Sequence, residues 1–484
     1  MKKIQAIKII LLLSFWISFG YAANGFSKQD SLSQYIEIAT KNNPVVLQKY
    51  YEYEAALQKV FQVGSLPDPE LNAEIFLKPI ELLDGMQAAD LKLMQMFPWF
   101  GVLKYGRDEM SLMAKSKYEL FLDAKLQVSF DVLKTWYELY SIQQNINISR
   151  KNIELLQTIE RLALIKFKSS SPATGFRSQP VNSIQGENSQ SSASGSGGMQ
   201  SMGSTSGNSS GISGKSSSSQ MGGSSMGSSS GTSGLSDLYR IQIEIRELEN
   251  SIELLKNSRN TITARFNSYL NRPVNTVVFT PDTLALVPAA KEIDSNYISV
   301  VESNPMLSML KYEDQSYQAR RQMTKSMGYP MIGLGVNYSI INKSEMSTSP
   351  MNGKNMIMPM VSLTIPIYRK KYNAMQREAE LLSSASRQNY LAVSNSLQTD
   401  YLEAIQLFKD AWRRIDLYSG QSELAKKTLD IMIKNFSSAG SSLTDILRIR
   451  QQLLDYEYKS VEALTDFNTS VALVNRITAK GYKQ

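Results

Sequence analysis

The sequence predicts a mainly helical protein with a small β part, built from tandem-duplicated long-helix hairpins and four amphipathic strands. Three observations predict this fold class. Long stretches contain neither glycine nor proline, four short segments alternate apolar and polar residues, and the order of these features is repeated once along the chain. The four strands should form two hairpins, one in each half.

The composition argues against catalysis. The 484 residues include no histidine and no cysteine. The chain therefore lacks the commonest general base and any thiol nucleophile, and we expect neither an enzyme nor a bound cofactor. The net charge of +8 comes from lysines and arginines interspersed with acidic residues. That pattern indicates solvated helix faces rather than a nucleic-acid-binding patch.

Residues 1–22 have the pattern of a secretory signal peptide. Lys2 and Lys3 precede an apolar core, Ile9–Phe19, and small residues follow up to Ala22. The apolar core is shorter than the ~20 residues that a membrane-spanning helix needs, and no later stretch reaches that length. The pattern predicts export, and a membrane crossing by the mature chain would require a closed β-barrel.

Two very long helices and two returning helices are predicted. The run Arg107–Ser171 has 65 residues without glycine or proline, and Leu126, Phe130 and Leu133 begin an apolar spacing of four and three. At 1.5 Å per residue such a rod is about 98 Å long. A simple coiled coil would explain these helices but not the strands. The expected helices are 104–171 and 235–272 in the first half and 369–439 and 441–480 in the second.

Period-two alternation predicts the strands. Ile332, Leu334 and Val336 alternate with small or polar residues, and a similar alternation follows Met358. One apolar face and one small or polar face over about ten residues is typical of a membrane barrel strand, with lipid outside and water inside. The signal is weakest at Leu91–Phe97. The predicted hairpins occupy residues 69–98 and 330–367.

The two halves of the chain repeat one another. Asn43-Pro44 and Asn304-Pro305 each precede an apolar helix, 261 residues apart, and Pro69 and Pro330 open the hairpins with the same offset. In each half, the short first helix and the returning helix together nearly match one long helix, which predicts that they stack end to end. The assigned units are a first repeat at 23–272, an equatorial linker at 273–288 and a second repeat at 289–484.

Four strands per chain cannot close a barrel, because the smallest membrane barrels have eight strands. A cyclic oligomer is therefore expected. Three copies would supply a trimeric 12-stranded β-barrel, and the long-helix hairpins would continue it as an α-helical tunnel.

These features together resemble the TolC family of outer-membrane efflux proteins, over about residues 31–481. The resemblance rests on the duplication, the Asn-Pro pairs, the proline-bounded hairpins and the segment Gly440–Leu447, which is similar to the turn at the family's periplasmic tip. The segments Leu66–Pro69 and Gln95–Gly101, with Arg107, resemble the heavy-metal-efflux branch.

The resemblance implies a homotrimer in the outer membrane of a Gram-negative cell, with its barrel in outer-membrane lipid and its tunnel in the periplasm. A periplasmic adaptor and an inner-membrane pump of the resistance-nodulation-division type would complete a tripartite system. The implied function is passive export of heavy-metal cations such as Cu(I) and Ag(I), or Zn, Co and Cd. A duct for drugs or for type I protein secretion is the alternative, and a secreted coiled-coil structural protein is a third.

The resemblance also implies a gate at the periplasmic end of the tunnel. Asp445 matches an aspartate of the family's acidic ring, Arg448 stands where a second aspartate is common, and Phe436 stands where a tyrosine is common. In the internal repeat, Asp237 and Arg240 are the first-half equivalents of Asp445 and Arg448. An Asp445–Arg448 pair would then replace the usual link. Alternatively, Asp445 only stabilises the start of a helix.

Residues 172–234 form an insert rich in serine, glycine and methionine, which cannot bury a core and is expected to be a flexible coil at the periplasmic tip. Thioether sulfur is a soft ligand that selects Cu(I). Methionines here and around the loop of the second hairpin are therefore candidate metal ligands, although methionine is also tolerated simply as a flexible residue. The candidates are Met199, Met202, Met221 and Met226 in the insert and Met346, Met351, Met356 and Met358 near the loop.

Overall fold

The computed structural model describes residues 32–169, 233–287, 302–437 and 442–479. The expected signal peptide and nearly all of the insert, including Met199, Met202, Met221 and Met226, lie outside the described residues. The helices are α1 (Leu32–Asn42), α2 (Pro44–Val63), α3 (Val102–Ser169), α4 (Ser233–Tyr269), α5 (Pro305–Met327), α6 (Arg369–Ser437) and α7 (Leu443–Ile477). The strands are β1 (Glu70–Leu82), β2 (Gly85–Phe97), β3 (Met331–Asn342) and β4 (Met356–Thr364). The predicted fold class is confirmed: the described residues are mainly helical and include a four-stranded sheet.

The two longest helices form the frame of the molecule. α3 has 68 residues and α6 has 69, so each is about 100 Å long. α3 packs against α2 and α5 next to the sheet, and against α4 and α7 at the far end. α6 packs against α5 and α7 in the same order. Apart from α1, the described helices therefore form two layers of four, one above the other, and α3 and α6 run through both layers.

The two Asn-Pro pairs form the junctions between the layers. Asn43 accepts a hydrogen bond from the Val45 amide, which caps α2, and its Nδ2 donates to the Tyr269 carbonyl at the end of α4, both at 2.9 Å. Asn304 repeats this at the second junction: it caps α5 and donates to the Ile477 carbonyl of α7 at 2.9 Å. Each asparagine is only 4% exposed. Each short helix thus continues the direction of the returning helix that ends beside it.

Helix α1 was not predicted from the sequence. Its signal is an apolar spacing of three and four through Leu32, Tyr35, Ile36 and Ala39. Tyr35 and Ala39 are fully buried, and the Tyr35 ring packs edge-on against Phe266 with centroids 5.1 Å apart. α1 is thereby fixed to the end of α4 at the first junction.

The linker that follows α4 crosses the helices without regular secondary structure as far as residue 287. The Leu284 amide donates to the Tyr140 hydroxyl of α3 at 3.2 Å, and the Val287 amide donates to Asn468 of α7 at 3.1 Å. These bonds hold the linker across the middle of the bundle, near the level of the Asn junctions. None of the helices in the described ranges is both long enough and apolar enough to span a membrane.

Candidate functional site

The sheet has two open edges. Its strand order is β1-β2-β3-β4 and all neighbours are antiparallel, so the hairpins of the two repeats meet through β2 and β3. β1 and β4 each pair with one strand of the described chain. Open edges present unpaired backbone donors and acceptors, and they are natural sites for pairing with another chain.

The sheet carries one continuous apolar face. Directly opposed residues share a face, and the register places Leu71, Leu93, Val336 and Pro359 in one row across the four strands. Between the register shifts and the helices, the rows on this side are apolar apart from Gln95, and their large side chains are mostly exposed. We call this the apolar face; it comprises Leu71, Ala73, Ile75, Ala89, Leu91, Leu93, Phe97, Ile332, Leu334, Val336, Tyr338, Ile340, Ile357, Pro359, Val361 and Leu363.

The opposite side of the sheet is polar and rich in small residues and methionine. The Ser339 hydroxyl donates to the Asp90 carboxylate at 2.5 Å, and Asn72, Lys92 and Asn337 lie in the neighbouring row. We call this the polar face; it comprises Glu70, Asn72, Glu74, Asp90, Lys92, Met94, Met96, Met331, Gly333, Gly335, Asn337, Ser339, Met356, Met358, Met360, Ser362 and Thr364.

Aromatic side chains surround the place where the sheet gives way to the helices. Trp99 stacks on Tyr329 with ring centroids 5.5 Å apart. Phe100 is 87% exposed and Tyr368, just after β4, is 83% exposed. Exposed aromatic rings at one level of a protein are typical of a membrane–water interface.

The far end of the helical bundle has its own apolar core, contributed by α3, α4, α6 and α7. Phe436 is buried in this core, and Lys166 lies 4.1 Å above its ring and donates to its carbonyl at 3.2 Å. The Arg240 guanidinium donates to the Thr444 hydroxyl at 3.1 Å, which links α4 to α7. The core comprises Leu156, Ile159, Ala163, Leu238, Ile241, Leu248, Leu429, Phe436, Leu443, Ile446, Leu447, Leu453 and Leu454.

The structure shows where the sequence-predicted gate residues lie relative to one another. Arg240 bonds to Thr444, the residue before Asp445 in the chain. Asp445 and Arg448 are both exposed, and Asp237 is partly buried. Among the described residues, Asp445 and Arg448 form no ion pair with each other. The bond from Arg240 to Thr444 is one of the contacts that join the two repeats at this end.

A buried ion pair lies one turn further from the tip and was missed at the sequence level. Arg450 of α7, only 3% exposed, pairs with Glu244 of α4. Burial lowers the pKa of the Arg450 guanidinium and raises the pKa of the Glu244 carboxyl, and their mutual attraction opposes both shifts. Two further Arg450 nitrogens, Nε and Nη1, are buried without a partner among the described residues. Repeat alignment could not reveal the pair, because Gln242 and Gln452 occupy the equivalent positions.

The loop after β3 is attached to the first hairpin. The Ser347 hydroxyl donates to the Leu83 carbonyl at 2.5 Å and the Ser349 hydroxyl donates to Asp84 at 2.6 Å. Met346 and Met351 are exposed on this loop, whereas Met356 and Met358 lie on β4 at the polar face. No group of three or more acidic side chains suited to a metal ion occurs among the described residues.

No protein-family model and no curated protein matches the sequence. Solved structures do match the fold. The outer-membrane channel OprN superposes with a TM-score of 0.69 at 11% identity, over 94% of this chain and 91% of that chain. CusC, described as forming a transmembrane channel, gives 0.67 at 12% identity over 95% of each chain. The CmeC outer membrane channel of Campylobacter jejuni gives 0.65 at 13% identity, over 93% of this chain and 86% of that chain.

These likenesses extend over nearly the whole chain in both directions, so they concern the complete arrangement of sheet and stacked helices. At 11–13% identity they establish the fold. The chain therefore has the fold of bacterial outer-membrane channels.

Proposed function

We propose that this protein is the outer-membrane exit duct of a tripartite efflux system. In this proposal it works as a homotrimer, docks to a periplasmic adaptor and an inner-membrane pump of the resistance-nodulation-division type, and performs no catalysis. The observation that carries the proposal is the two-faced sheet: its exposed apolar face suits lipid, and its polar face suits a water-filled lumen.

The open edges of the sheet support closure by symmetry. In a three-fold ring, β4 of each copy pairs with β1 of the next, which removes every edge and gives twelve strands. The exposed aromatic rings Phe100 and Tyr368 then lie at the periplasmic surface of the membrane. The two helical layers below them extend into the periplasm as a tunnel.

The far end of that tunnel serves as the gate in this proposal. Asp445, Arg448, Asp237, Arg240 and Phe436 all belong to the end where the returning helices begin. The bond from Arg240 to Thr444 supports this assignment, because it holds the two helical hairpins of one copy together at the tip. Opening the duct requires the hairpins to separate, and this bond opposes the separation.

The proposed substrates are heavy-metal cations, with Cu(I) and Ag(I) favoured by the methionines. Met199, Met202, Met221 and Met226 would meet the ion at the entrance, and Met346, Met351, Met356 and Met358 at the exit. Soft sulfur ligands support this class of cargo. A duct for drugs or for protein secretion keeps the same architecture and makes no use of these methionines.

Planar-bilayer conductance of the purified protein tests the duct and its gate. We expect discrete channels of low conductance for the wild type and higher conductance for Arg240→Ala, because the substitution removes the link to Thr444. Arg246→Ala is the matched control, since Arg246 lies exposed on the same helix. The absence of discrete channels from a correctly folded preparation would contradict the duct, and equal conductance of all three proteins would contradict the gate.

Metal tolerance of a deletion strain tests the cargo separately. We expect selective sensitivity to copper or silver among copper, silver, zinc, cobalt and cadmium salts, with unchanged tolerance to a hydrophobic dye. Sensitivity to the dye and to no metal would leave the duct in place and remove the metal assignment.

A further inference from the structure

Methionine is concentrated on the polar face of the sheet, where it is not needed for packing against lipid. Six methionines lie there, whereas the rows of the apolar face between the register shifts and the helices contain none. Thioether side chains on a wet surface contribute less hydrophobic stabilisation than they would in a core. The presence of six methionines on this one face therefore needs an explanation other than packing against lipid.

Two of these sulfurs converge on one hydroxyl group. The Ser362 Oγ of β4 lies 3.5 Å from the Met94 sulfur and 3.8 Å from the Met96 sulfur, although both methionines belong to β2. The two side chains therefore reach across β3 to the same point. Met94 is 6% exposed, so its sulfur is covered while it remains on the polar side of the sheet.

Glycine in β3 makes this convergence possible. A Cβ at Gly333 would lie 2.6 Å from the Met96 sulfur, 3.1 Å from the Met94 sulfur and 2.1 Å from the Ser362 hydroxyl. A side chain at this position would have to displace these three side-chain atoms. The same point bounds the distance between the two sulfurs to no more than about 5.7 Å, the sum of the two sulfur distances.

A third methionine is positioned beside the pair. Gly335 stands between Met94 on β2 and Met360 on β4 in the strand register, and a Cβ at Gly335 would lie 3.2 Å from the Met94 sulfur. Met360 and Met94 lie on the same face, and the residue between them in the register, Gly335, has no side chain. Two glycines thus leave room for the Met94 and Met96 side chains, and the register places Met360 on the same face one strand further along.

We propose that Met94, Met96 and Met360 form a binding site for a soft monovalent cation, Cu(I) or Ag(I), with Ser362 holding the first two sulfurs in place. Neutral thioethers are soft ligands that bind such ions without having to lose a proton. The site deepens the metal-efflux function and rests on that proposed function for its purpose. In the trimeric barrel this site lies on the lumen wall, between the tunnel and the outer loop, where the exported ion would bind in passing.

The alternative is that these methionines only fill the gap left by the glycines. Silver binding by the full-length protein in detergent, in chloride-free buffer, separates the two. With silver nitrate as the probe, we expect the Met94→Leu/Met96→Leu variant to bind Ag(I) about tenfold more weakly than the wild type at its tightest site. Leucine fills a similar volume and has no sulfur. Met110→Leu/Met113→Leu is the matched control, because it replaces two half-buried methionines on α3.

Methyl-labelled methionine gives a readout at the site itself. The signals that disappear in Met94→Leu and in Met96→Leu identify the two methyl groups, and we expect both to shift on addition of silver. Silver-induced shifts confined to other methionines, or an affinity unchanged by the double substitution, would overturn the site. Conductance of the same preparations distinguishes this failure from failure of the duct: channels that conduct without silver binding at Met94 and Met96 leave the duct standing.

Discussion

At the scale of single residues, two asparagines do most to define the architecture. Asn43 and Asn304 each combine three tasks: capping the helix that follows, preceding the proline that opens it, and binding the last turn of the stacked helix. A buried amide is suited to this because it offers a donor and an acceptor at once. The repeated Asn-Pro pair was visible in the sequence, but its donor bond to the returning helix required the structure.

Replacing Asn43 should destabilise the helical region in a way that separates its two bonds. Asn43→Ala loses the cap and leaves the Tyr269 carbonyl without its donor, which should cost about 1–3 kcal/mol. Asn43→Asp keeps the acceptor for the Val45 amide and loses the donor, so it should also destabilise. The measurement is thermal unfolding followed by circular dichroism.

Asn395→Ala is the control for this series, because Asn395 is exposed in the interior of α6 and alanine is the better helix former there. Its melting temperature should be no lower than that of the wild type. Wild-type stability of Asn43→Asp would show that the bond to Tyr269 contributes nothing to the junction.

At the scale of elements, the alternation of the strands decides what each face of the sheet contacts. Val336 and Asn337 are neighbours on β3 with opposite faces, and the register carries that difference across all four strands. In a monomer both faces meet solvent. The exposed apolar face is therefore explicable only by something that covers it.

Lysine substitutions at these two neighbours should have unequal effects. Val336→Lys places a charge on the apolar face and should destabilise membrane assembly by about 2–4 kcal/mol. Asn337→Lys places the same charge on the polar face, where repulsion from the opposed Lys92 costs at most about 1 kcal/mol, so it should assemble much better than Val336→Lys. The amount of each variant in the outer-membrane fraction, and its resistance to dissociation in detergent without heating, measure the difference. Equal assembly of the two variants would contradict the assignment of the faces.

The elements were predictable to the extent that their signals are local. Period-two alternation predicted both hairpins, and the absence of glycine and proline predicted the long helices; the structure gives α3 as Val102–Ser169 where 104–171 was expected. Helix α1 was missed because its apolar spacing covers only three turns. The pair between Glu244 and Arg450, 206 residues apart, depends on how α4 packs relative to α7, and no local pattern encodes that.

At the scale of the whole molecule, large apolar side chains are exposed on two sides of the helical bundle, one formed by α4 and the other by α6. α4 packs mainly on α3 and exposes Tyr239, Ile243 and Leu254, while α6 exposes Trp412, Leu424 and other large apolar residues. An apolar surface on two different sides suits a head-to-tail contact between copies, which closes into a ring when the rotation per copy permits. The open sheet edges are β1, which follows α2, and β4, which precedes α6. Function as a duct therefore requires three copies to close into a ring through these edges.

Disulfide crosslinking between β1 and β4 tests that claim most directly, because the chain has no cysteine of its own. Ala73→Cys is combined in turn with Ile357→Cys, Val361→Cys or Leu363→Cys, so that one of the pairs meets the register between copies. For that pair, oxidation in membranes should produce covalent dimers and trimers and no larger species, and either cysteine alone should not produce the trimer. Crosslinked ladders that continue beyond three copies, or the absence of crosslinks in every pair, would contradict a closed trimer.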